Sequence, residues 1–176
     1  EGQQKSADYL TLNPMGQLPT LIIDGLTLTQ SLPIIEYLDE TRPDNRILPQ
    51  DAVQRYQARR IAEIVNSGIQ PVQNLSVLIK VAKLGVDKAT WANEVITQGL
   101  QAVEAALQQT AGRYCVGDTV SIADLAVVPQ VYNAKRFNVD MSKFPIISRV
   151  NDALVELDAF KAADPKKQPD CPEDLK

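Results

Sequence analysis

The 176-residue chain is long enough for one large domain or two small ones, and its core needs no disulfide bonds. Its formal net charge of -4 argues against nucleic acid or an anionic membrane as the main partner. The absence of histidine excludes histidine-based acid–base catalysis and Ser-His-Asp triads, and we expect no metal site.

The two cysteines, Cys115 and Cys171, lie far apart and form no CxxC pair. No apolar run approaches the roughly 18 residues that a membrane span requires, and no signal peptide opens the chain. These features predict a protein of a reducing compartment, the cytoplasm.

Turn residues predict the first regular elements. The polar stretch from Glu1 to Asp8 is expected to be a loop. Asp24-Gly25 is a strong signal for a two-residue hairpin turn, and it separates a strand beginning at Thr20 from a return strand over 26–29. A hairpin is therefore predicted in the first quarter of the chain.

A helix is predicted directly after the hairpin. Ser31 is its expected N-cap, because a serine hydroxyl can accept a hydrogen bond from an N–H group of the first turn. The helix should end near Thr41, since Pro43 disfavours helical backbone at the residue before it. The following proline-bracketed polar stretch predicts a linker.

Pro19 stands at the entrance of the first strand, where a proline is tolerated. We consider a cis Leu18-Pro19 bond, although only about 5–6% of such bonds in folded proteins are cis. A cis bond would turn the backbone N–H and C=O of Leu18 out of the sheet, where an extended peptide could pair with them. The alternative is an ordinary trans turn.

No strand pattern follows residue 50, so we predict a domain boundary near 45–50. A helical segment is expected from Ala52 to Lys83 with interruptions at Gly68 and Pro71. Further helices are predicted over 90–110, after the Ser121-x-x-Asp124 capping box, and over 144–160. The tail over 164–176 is expected to wrap or fray. Tyr9, Tyr37 and Trp91 are predicted to be packing residues.

Several longer motifs carry a resemblance to a known family. They are the stretches Leu12-Asn13-Pro14-Met15 to Leu21, Gln30-Ser31-Leu32, Gln70-Pro71-Val72-Gln73-Asn74-Leu75-Ser76-Val77-Leu78, Val128-Pro129-Gln130-Val131 and Gln168-Pro169-Asp170. With these motifs the whole chain resembles the zeta class of the glutathione transferases, the branch of the maleylacetoacetate isomerases.

The resemblance implies an α+β, thioredoxin-like N-terminal part that is truncated at its start, over residues 1–43, and an all-α helical-bundle domain over 50–176. The family's thioredoxin-like domain opens with a β-α-β unit, which needs roughly 30 or more residues. About a dozen residues precede Asn13 here. Either the start lies outside this sequence, or the product does not catalyse by the family route.

The missing unit carries the family's Ser-Ser-Cys motif, which addresses the sulfur of glutathione. No such motif occurs in these 176 residues. No catalytic residue is therefore assigned in this sequence.

The resemblance also implies a set of residues that bind glutathione or substrate. The glutathione-binding residues would be Gln4, Leu18, Pro19, Gln30, Ser31, Gln70, Asn74, Leu75 and Ser76, and Arg136 would bind a substrate carboxylate. Gln70 and Asn74 are four residues apart and are expected to share a helix face. From spacing alone, Ser31 could be merely a helix cap, 70–76 a solvated helix bend, and Arg136 a surface arginine at a helix end.

The activity implied by the resemblance is glutathione-dependent isomerisation of maleylacetoacetate to fumarylacetoacetate in phenylalanine and tyrosine breakdown. Transferase activity on small electrophiles such as α-halo acids would accompany it. The implied assembly is a homodimer. Two alternatives stay open: a non-catalytic, transferase-like interaction module, and a general detoxifying transferase with a more apolar substrate face.

Overall fold

The computed structural model describes residues 2–173, so Glu1 and the last three residues of the tail lie outside the described part. The chain divides into two compact units, Glu1–Leu48 and Pro49–Lys176. The first unit contains helix α1 (Ala7–Leu12), strands β1 (Thr20–Ile23) and β2 (Leu26–Thr29), helix α2 (Ser31–Thr41), and short 3₁₀ turns at Gln3–Lys5 and Pro43–Asn45.

The predicted hairpin is confirmed. Strands β1 and β2 pair antiparallel with Thr20 opposite Thr29. Asp24 and Gly25 have φ angles of 53° and 75°, and the favoured type I′ hairpin turn requires positive φ at both central residues. The predicted loop over residues 1–8 is wrong in part, because the Ser6 side chain accepts the Tyr9 N–H at 3.3 Å and caps α1.

The tip of the hairpin is attached to the end of α2 by an exposed ionic cluster. Asp24 accepts hydrogen bonds from the hydroxyl of Tyr37 at 2.8 Å and from the guanidinium of Arg42 at 2.8 Å. These two bonds hold the pKa of Asp24 below its ordinary value. Exposed ion pairs contribute little to the free energy of unfolding. The cluster therefore orients the hairpin more than it stabilises the unit.

Helix α2 begins one residue earlier than a Ser31 cap would require. Gln30 is the N-cap, with φ 72°, and Ser31 is already the first helical residue. The prediction that Ser31 caps this helix is therefore wrong: the chain leaves β2 through the left-handed backbone of Gln30, whose carbonyl accepts the N–H of Ile34 at 3.0 Å. The predicted end at Thr41 is confirmed.

A buried carboxylate attaches the stretch after α2 to the first unit. Asp39 is 4% exposed, and one of its oxygens accepts the backbone N–H groups of Ile47 and Leu48. Arg46 lies 3.9 Å from its other oxygen. The stretch predicted to be a linker is thus held against α2, and the division between the units falls after Leu48.

The second unit is helical. Its helices are α3 (Ala52–Glu63), α4 (Gln70–Gln73), α5 (Leu75–Lys83), α6 (Lys88–Thr110), α7 (Ile122–Arg136), α8 (Pro145–Val155) and α9 (Asp158–Ala162), with a π-helical segment at Ile64–Ile69 and 3₁₀ turns at Met141–Lys143 and Pro165–Lys167. Helix α7 packs against α3 and α8, and α6 packs against α8.

The interruption predicted around Gly68 and Pro71 is confirmed in part, because a π-helical segment that contains Gly68 separates α3 from α4. Pro71 occupies the first turn of α4, where its missing N–H is tolerated, and the helical path breaks at Asn74, whose backbone is extended. Gly68 lies inside the π-helical segment. Gly99 of α6 packs against this region, because a Cβ at residue 99 would overlap the side chain of buried Ile69.

The core of the second unit consists of fully buried aliphatic side chains and one aromatic ring. The largest are Ile61, Ile69, Ile96, Leu100, Leu107, Ile122, Phe144, Ile147 and Leu154. The all-round apolar pattern that predicted a central helix is confirmed for α7, which carries seven buried residues.

The predicted capping box at the start of α7 is confirmed. The carboxylate of Asp124, fully buried, accepts the N–H of Ser121 at 2.7 Å and the Ser121 hydroxyl at 2.9 Å. Its other oxygen accepts the N–H of Cys115 at 2.8 Å. One side chain therefore caps α7 and fixes the preceding loop.

The predicted last helix over 144–160 is wrong in its continuity, because it is divided into α8 and α9 at Leu157, which has extended backbone. No glycine or proline marks this break. The start of α8 is held by Glu104 of α6, whose carboxylate accepts the N–H groups of Ile146 and Ile147 at 2.9 and 3.0 Å.

Within residues 2–173, no helix combines the length and the apolar character needed to cross a membrane. The same residues contain no group of three or more acidic or cysteine side chains arranged to hold a metal ion.

We predict that Asp124→Asn lowers the free energy of unfolding by about 3 kcal/mol, because an amide nitrogen would face donors that the carboxylate now satisfies. Urea denaturation measures the change. Asp87→Asn is the matched control: Asp87 is the exposed N-cap of α6, and asparagine caps equally well, so the cost there should be under about 0.5 kcal/mol. Equal costs at the two positions would contradict the role assigned to Asp124.

Candidate functional site

The loop before β1 is held by two side chains that converge on one carbonyl. Asn13, 3% exposed, donates from Nδ2 to the carbonyl of Gln17 at 2.8 Å and accepts the N–H of Met15 at 3.1 Å. The Tyr9 hydroxyl lies 2.7 Å from the same Gln17 oxygen and 2.7 Å from the hydroxyl of Thr20. The loop therefore enters the strand with fixed geometry.

Leu18, which follows Gln17, has an unpaired main chain among the described residues. The Leu18-Pro19 bond is cis, which confirms the hypothesis drawn from the sequence. Leu18 is 73% exposed, and neither its N–H nor its C=O has a hydrogen-bond partner within residues 2–173. Pro19 is exposed beside it. An extended peptide can use such a donor and acceptor, as in strand addition.

The hairpin register brings a second pair of candidates to this place. Thr20 pairs with Thr29, so Leu18 and Pro19 precede β1 at the end of the hairpin where Gln30 and Ser31 follow β2. Gln30 and Ser31 are both exposed, and Gln30 has the positive φ of 72°. A non-glycine residue with positive φ is uncommon and costs of the order of 1–3 kcal/mol, which supports a functional hypothesis.

The start of α2 offers unpaired donors. In the described part of the chain the N–H groups of Ser31 and Leu32 have no hydrogen-bond partner, and Pro33 has no N–H. The first N–H groups of a helix, together with its dipole, favour an anion such as a carboxylate. This end of the first unit can therefore bind a peptide main chain and a carboxylate side by side.

Gln4 lies in the 3₁₀ turn that faces the same loop. Gln4 is half-buried. Its backbone carbonyl oxygen would lie 3.0 Å from a Cβ at residue 16, so only glycine fits at that position. Gly16 also needs its φ of 59°. The first unit thus brings Gln4 next to the loop that carries Leu18.

The other glutathione candidates lie in the second unit, at the junction of α4 and α5. Gln70, Asn74, Leu75 and Ser76 are all exposed, and Leu75 is 67% exposed. Asn74 caps α5, accepting the N–H and the hydroxyl of Ser76 at 2.9 and 2.8 Å. Because the helix breaks at Asn74, the expectation that Gln70 and Asn74 share one helix face is wrong.

A buried amide pair holds this junction. Gln73, the last residue of α4, donates to Oε1 of Gln130 at 2.9 Å, and Gln130 donates to Oε1 of Gln73 at 3.1 Å. Gln130 is fully buried in α7 and Gln73 is 6% exposed. Trp91 adds a second polar contact, donating from its indole nitrogen to the carbonyl of Val72 at 3.0 Å. No local sequence pattern predicts the amide pair, because its members are 57 residues apart.

Arg136 ends the same helix, α7. It is exposed, and its guanidinium carbon lies 5.6 Å from the ring centre of Phe137. Within residues 2–173 no carboxylate pairs with it. Stacking on the ring orients the planar guanidinium and leaves its N–H groups available to a carboxylate.

A buried cysteine and the three aromatic residues predicted to pack have defined polar surroundings. Cys115 is fully buried, and burial, with the nearby Asp124 carboxylate, raises the pKa of its thiol, so it is no nucleophile. Tyr9, Tyr37 and Trp91 do more than pack, because each makes a hydrogen bond through its polar atom.

A cavity of about 550 Å³ lies in the second unit, between α7, α8 and α9. Its walls are mostly apolar, with Leu125, Val128 and Phe160 among them. None of the residues that the sequence points to for glutathione or substrate lines this cavity, and it is not part of the candidate site.

Comparison with known proteins identifies the protein family to which the chain belongs. The family model for the glutathione S-transferase N-terminal domain matches residues 1–41, and that for the glutathione S-transferase C-terminal domain matches residues 80–162. The maleylacetoacetate isomerase of Mus musculus is 53% identical over 175 residues, which are 99% of this chain and 80% of the relative. That of Dictyostelium discoideum is 49% identical over 173 residues, 97% of this chain and 79% of the relative.

Solved structures agree. A bacterial zeta-class maleyl pyruvate isomerase in its holo form has a TM-score of 0.92 and 38% identity, covering 96% of this chain and 82% of that one. The maleylacetoacetate isomerase of Anaeromyxobacter dehalogenans with bound GSH has a TM-score of 0.85 and 42% identity, covering 97% and 81%. The chain belongs to the maleylacetoacetate isomerase family, the zeta class of the glutathione S-transferases. The fold class expected from the sequence is confirmed.

We predict that Gln73→Met lowers the free energy of unfolding by about 2 kcal/mol, because it leaves the amide of Gln130 buried and unpaired. Replacing both residues by methionine should cost less than the sum of the single changes, since both orphaned groups are removed. Urea denaturation of the two single variants and the double variant measures the coupling. Gln70→Met, an exposed change on the same short helix, is the control and should be nearly neutral.

Proposed function

We propose that this chain binds glutathione and supports glutathione-dependent isomerisation of maleylacetoacetate to fumarylacetoacetate, a step of phenylalanine and tyrosine breakdown. Transfer of glutathione to small electrophiles such as α-halo acids is the proposed secondary activity. The observation that carries the proposal is the unpaired main chain of Leu18 next to the open N-terminus of α2. Relatives at 53% and 49% identity carry the name of this isomerase.

The residues of the first unit fit an extended anionic tripeptide. Leu18 offers one backbone donor and one acceptor for the central residue of the peptide, and Pro19 lies beside it. Gln30 and Ser31, at the start of α2, suit the γ-glutamyl carboxylate. Gln4 is assigned to the same ligand, because its turn adjoins the loop that presents Leu18.

In the second unit, Gln70, Asn74, Leu75 and Ser76 complete the proposed glutathione-binding set. Their side chains are neutral, so they can orient a polar ligand without fixing it by charge. Arg136 is assigned to a carboxylate of the substrate, because its guanidinium is exposed and has no carboxylate partner among the described residues.

When bound, glutathione supplies the sulfur nucleophile for a cis–trans isomerisation. The residues of this chain bind and orient the two ligands. The family's Ser-Ser-Cys motif is not among these 176 residues, so no residue here is assigned to lower the pKa of the glutathione thiol.

We also propose a domain organisation, an oligomeric state and a cellular compartment. We assign residues 1–43 to the C-terminal half of a thioredoxin-like glutathione-binding domain and 50–176 to the all-helical domain, in keeping with the division after Leu48. A homodimer in the cytoplasm is proposed as the working form. Cys115 and Cys171 are both free, which suits a reducing compartment.

We expect the protein to isomerise maleylacetone, a substrate analogue, only when glutathione is present. The absorbance change of the substrate gives the rate, and isothermal titration calorimetry gives the affinity for glutathione separately. Glutathione binding without isomerisation would favour a non-catalytic, transferase-like module. Isomerisation that does not depend on glutathione would contradict the proposal.

Arg136→Ala should raise the KM for carboxylate substrates about tenfold or more, because a charge-assisted hydrogen-bond pair is lost. The dissociation constant for glutathione should stay nearly unchanged. Arg113→Ala is the matched control: Arg113 also stacks over the ring of the following residue, at 5.4 Å, and is assigned no ligand. If the KM for substrate rises and the affinity for glutathione falls by the same factor, the role given to Arg136 is wrong.

A further inference from the structure

The peptide group between Gln17 and Leu18 is held from one side. Its carbonyl oxygen, that of Gln17, is bonded at 2.8 Å by the side-chain amide of Asn13 and at 2.7 Å by the hydroxyl of Tyr9. A carbonyl oxygen has two lone pairs, so these two donors use its full capacity. No further ligand can bind at this oxygen without displacing one of them.

Holding the oxygen also sets the direction of the neighbouring N–H. A trans peptide group is planar, and its C=O and N–H point to opposite sides. Since Gln17 directs its oxygen towards Asn13 and Tyr9, the N–H of Leu18 points away from both. That N–H has no partner within the described residues. Two donors on the carbonyl also polarise the peptide group, which strengthens its N–H as a donor.

The two side chains that hold this oxygen are themselves fixed. Asn13 is buried, and its oxygen accepts the N–H of Met15, so its amide nitrogen must face Gln17. The Tyr9 hydroxyl also contacts the hydroxyl of Thr20, the first residue of β1. The loop and the strand are therefore joined through the same phenol oxygen.

We propose that Tyr9 and Asn13 are positioning residues that saturate the carbonyl of Gln17 and thereby aim the N–H of Leu18 at the backbone of bound glutathione. This role rests on the proposed function. Neither side chain touches the ligand in this proposal. Both act through the one peptide group between Gln17 and Leu18.

The test compares Tyr9→Phe with Tyr37→Phe. Each change removes one phenol hydroxyl from the first unit, but Tyr37 bonds Asp24 at the hairpin tip and has no contact with the Gln17 carbonyl. Calorimetry with glutathione should give a dissociation constant about fivefold higher for Tyr9→Phe and an unchanged one for Tyr37→Phe. Asn13→Asp keeps the acceptor for Met15 and removes the donor, so it should weaken binding at least as much.

A second measurement needs no ligand. In the free protein, ¹⁵N relaxation of the Leu18 amide should give an order parameter near 0.85, about the value of rigid backbone, and Tyr9→Phe should lower it towards about 0.6. Tyr37→Phe should leave it unchanged. A general loss of order in both tyrosine variants would overturn the specific role of Tyr9.

The outcomes separate this role from the function on which it rests. Unchanged affinity and unchanged Leu18 order in Tyr9→Phe would overturn the positioning role alone. If the unaltered protein fails to bind glutathione at millimolar concentration, the proposed function is overturned, and the positioning role for that ligand falls with it. Weaker binding together with a more mobile Leu18 amide, in Tyr9→Phe only, supports both.

Discussion

The backbone around Leu18 depends on one constraint: a main-chain polar group must be paired or exposed to water or ligand. On one side of the Gln17–Leu18 peptide the oxygen is doubly bonded by Asn13 and Tyr9. On the other side Leu18 is left exposed with its main chain unpaired among the described residues. The geometry at Leu18 is therefore set by hydrogen bonds between neutral groups.

The same constraint holds for the buried polar side chains of the helical unit. Each of three buried polar contacts ties one element to another: Asp124 with the loop before α7, Glu104 with the start of α8, and Gln73 with Gln130. Burying a polar group is costly unless it is bonded. Such contacts are therefore sensitive to position, and they hold α4 against α7 and the start of α8 against α6.

The chemistry proposed for this family member divides the work between ligand and protein. The covalent step belongs to glutathione, while the protein supplies main-chain donors, a helix N-terminus and a stacked guanidinium. A chain with no histidine can support that chemistry, because the protein residues bind and orient. The exposed Arg136 at the end of α7 and the neutral amides near Asn74 then belong to one helical unit, which the Gln73–Gln130 pair holds together.

Local signals in the sequence determined the hairpin, the end of α2 and the start of α7. Asp24-Gly25 alone selects the turn, and Ser121 with Asp124 alone makes a capping box, because their partners lie within a few residues. The motifs shared with the family also pointed to the glutathione candidates, such as Leu18 and Ser31.

Only the tertiary structure decided the break at Asn74, the left-handed backbone of Gln30, the division of the last helix, and the hydrogen bonds of Tyr9 and Trp91. It also decided the pairing of Gln73 with Gln130, which are 57 residues apart. The physical reason is the same in each case. A side chain's hydrogen-bond partner, or the element against which a segment packs, can lie far away in sequence, and propensity and periodicity carry no information about distant partners.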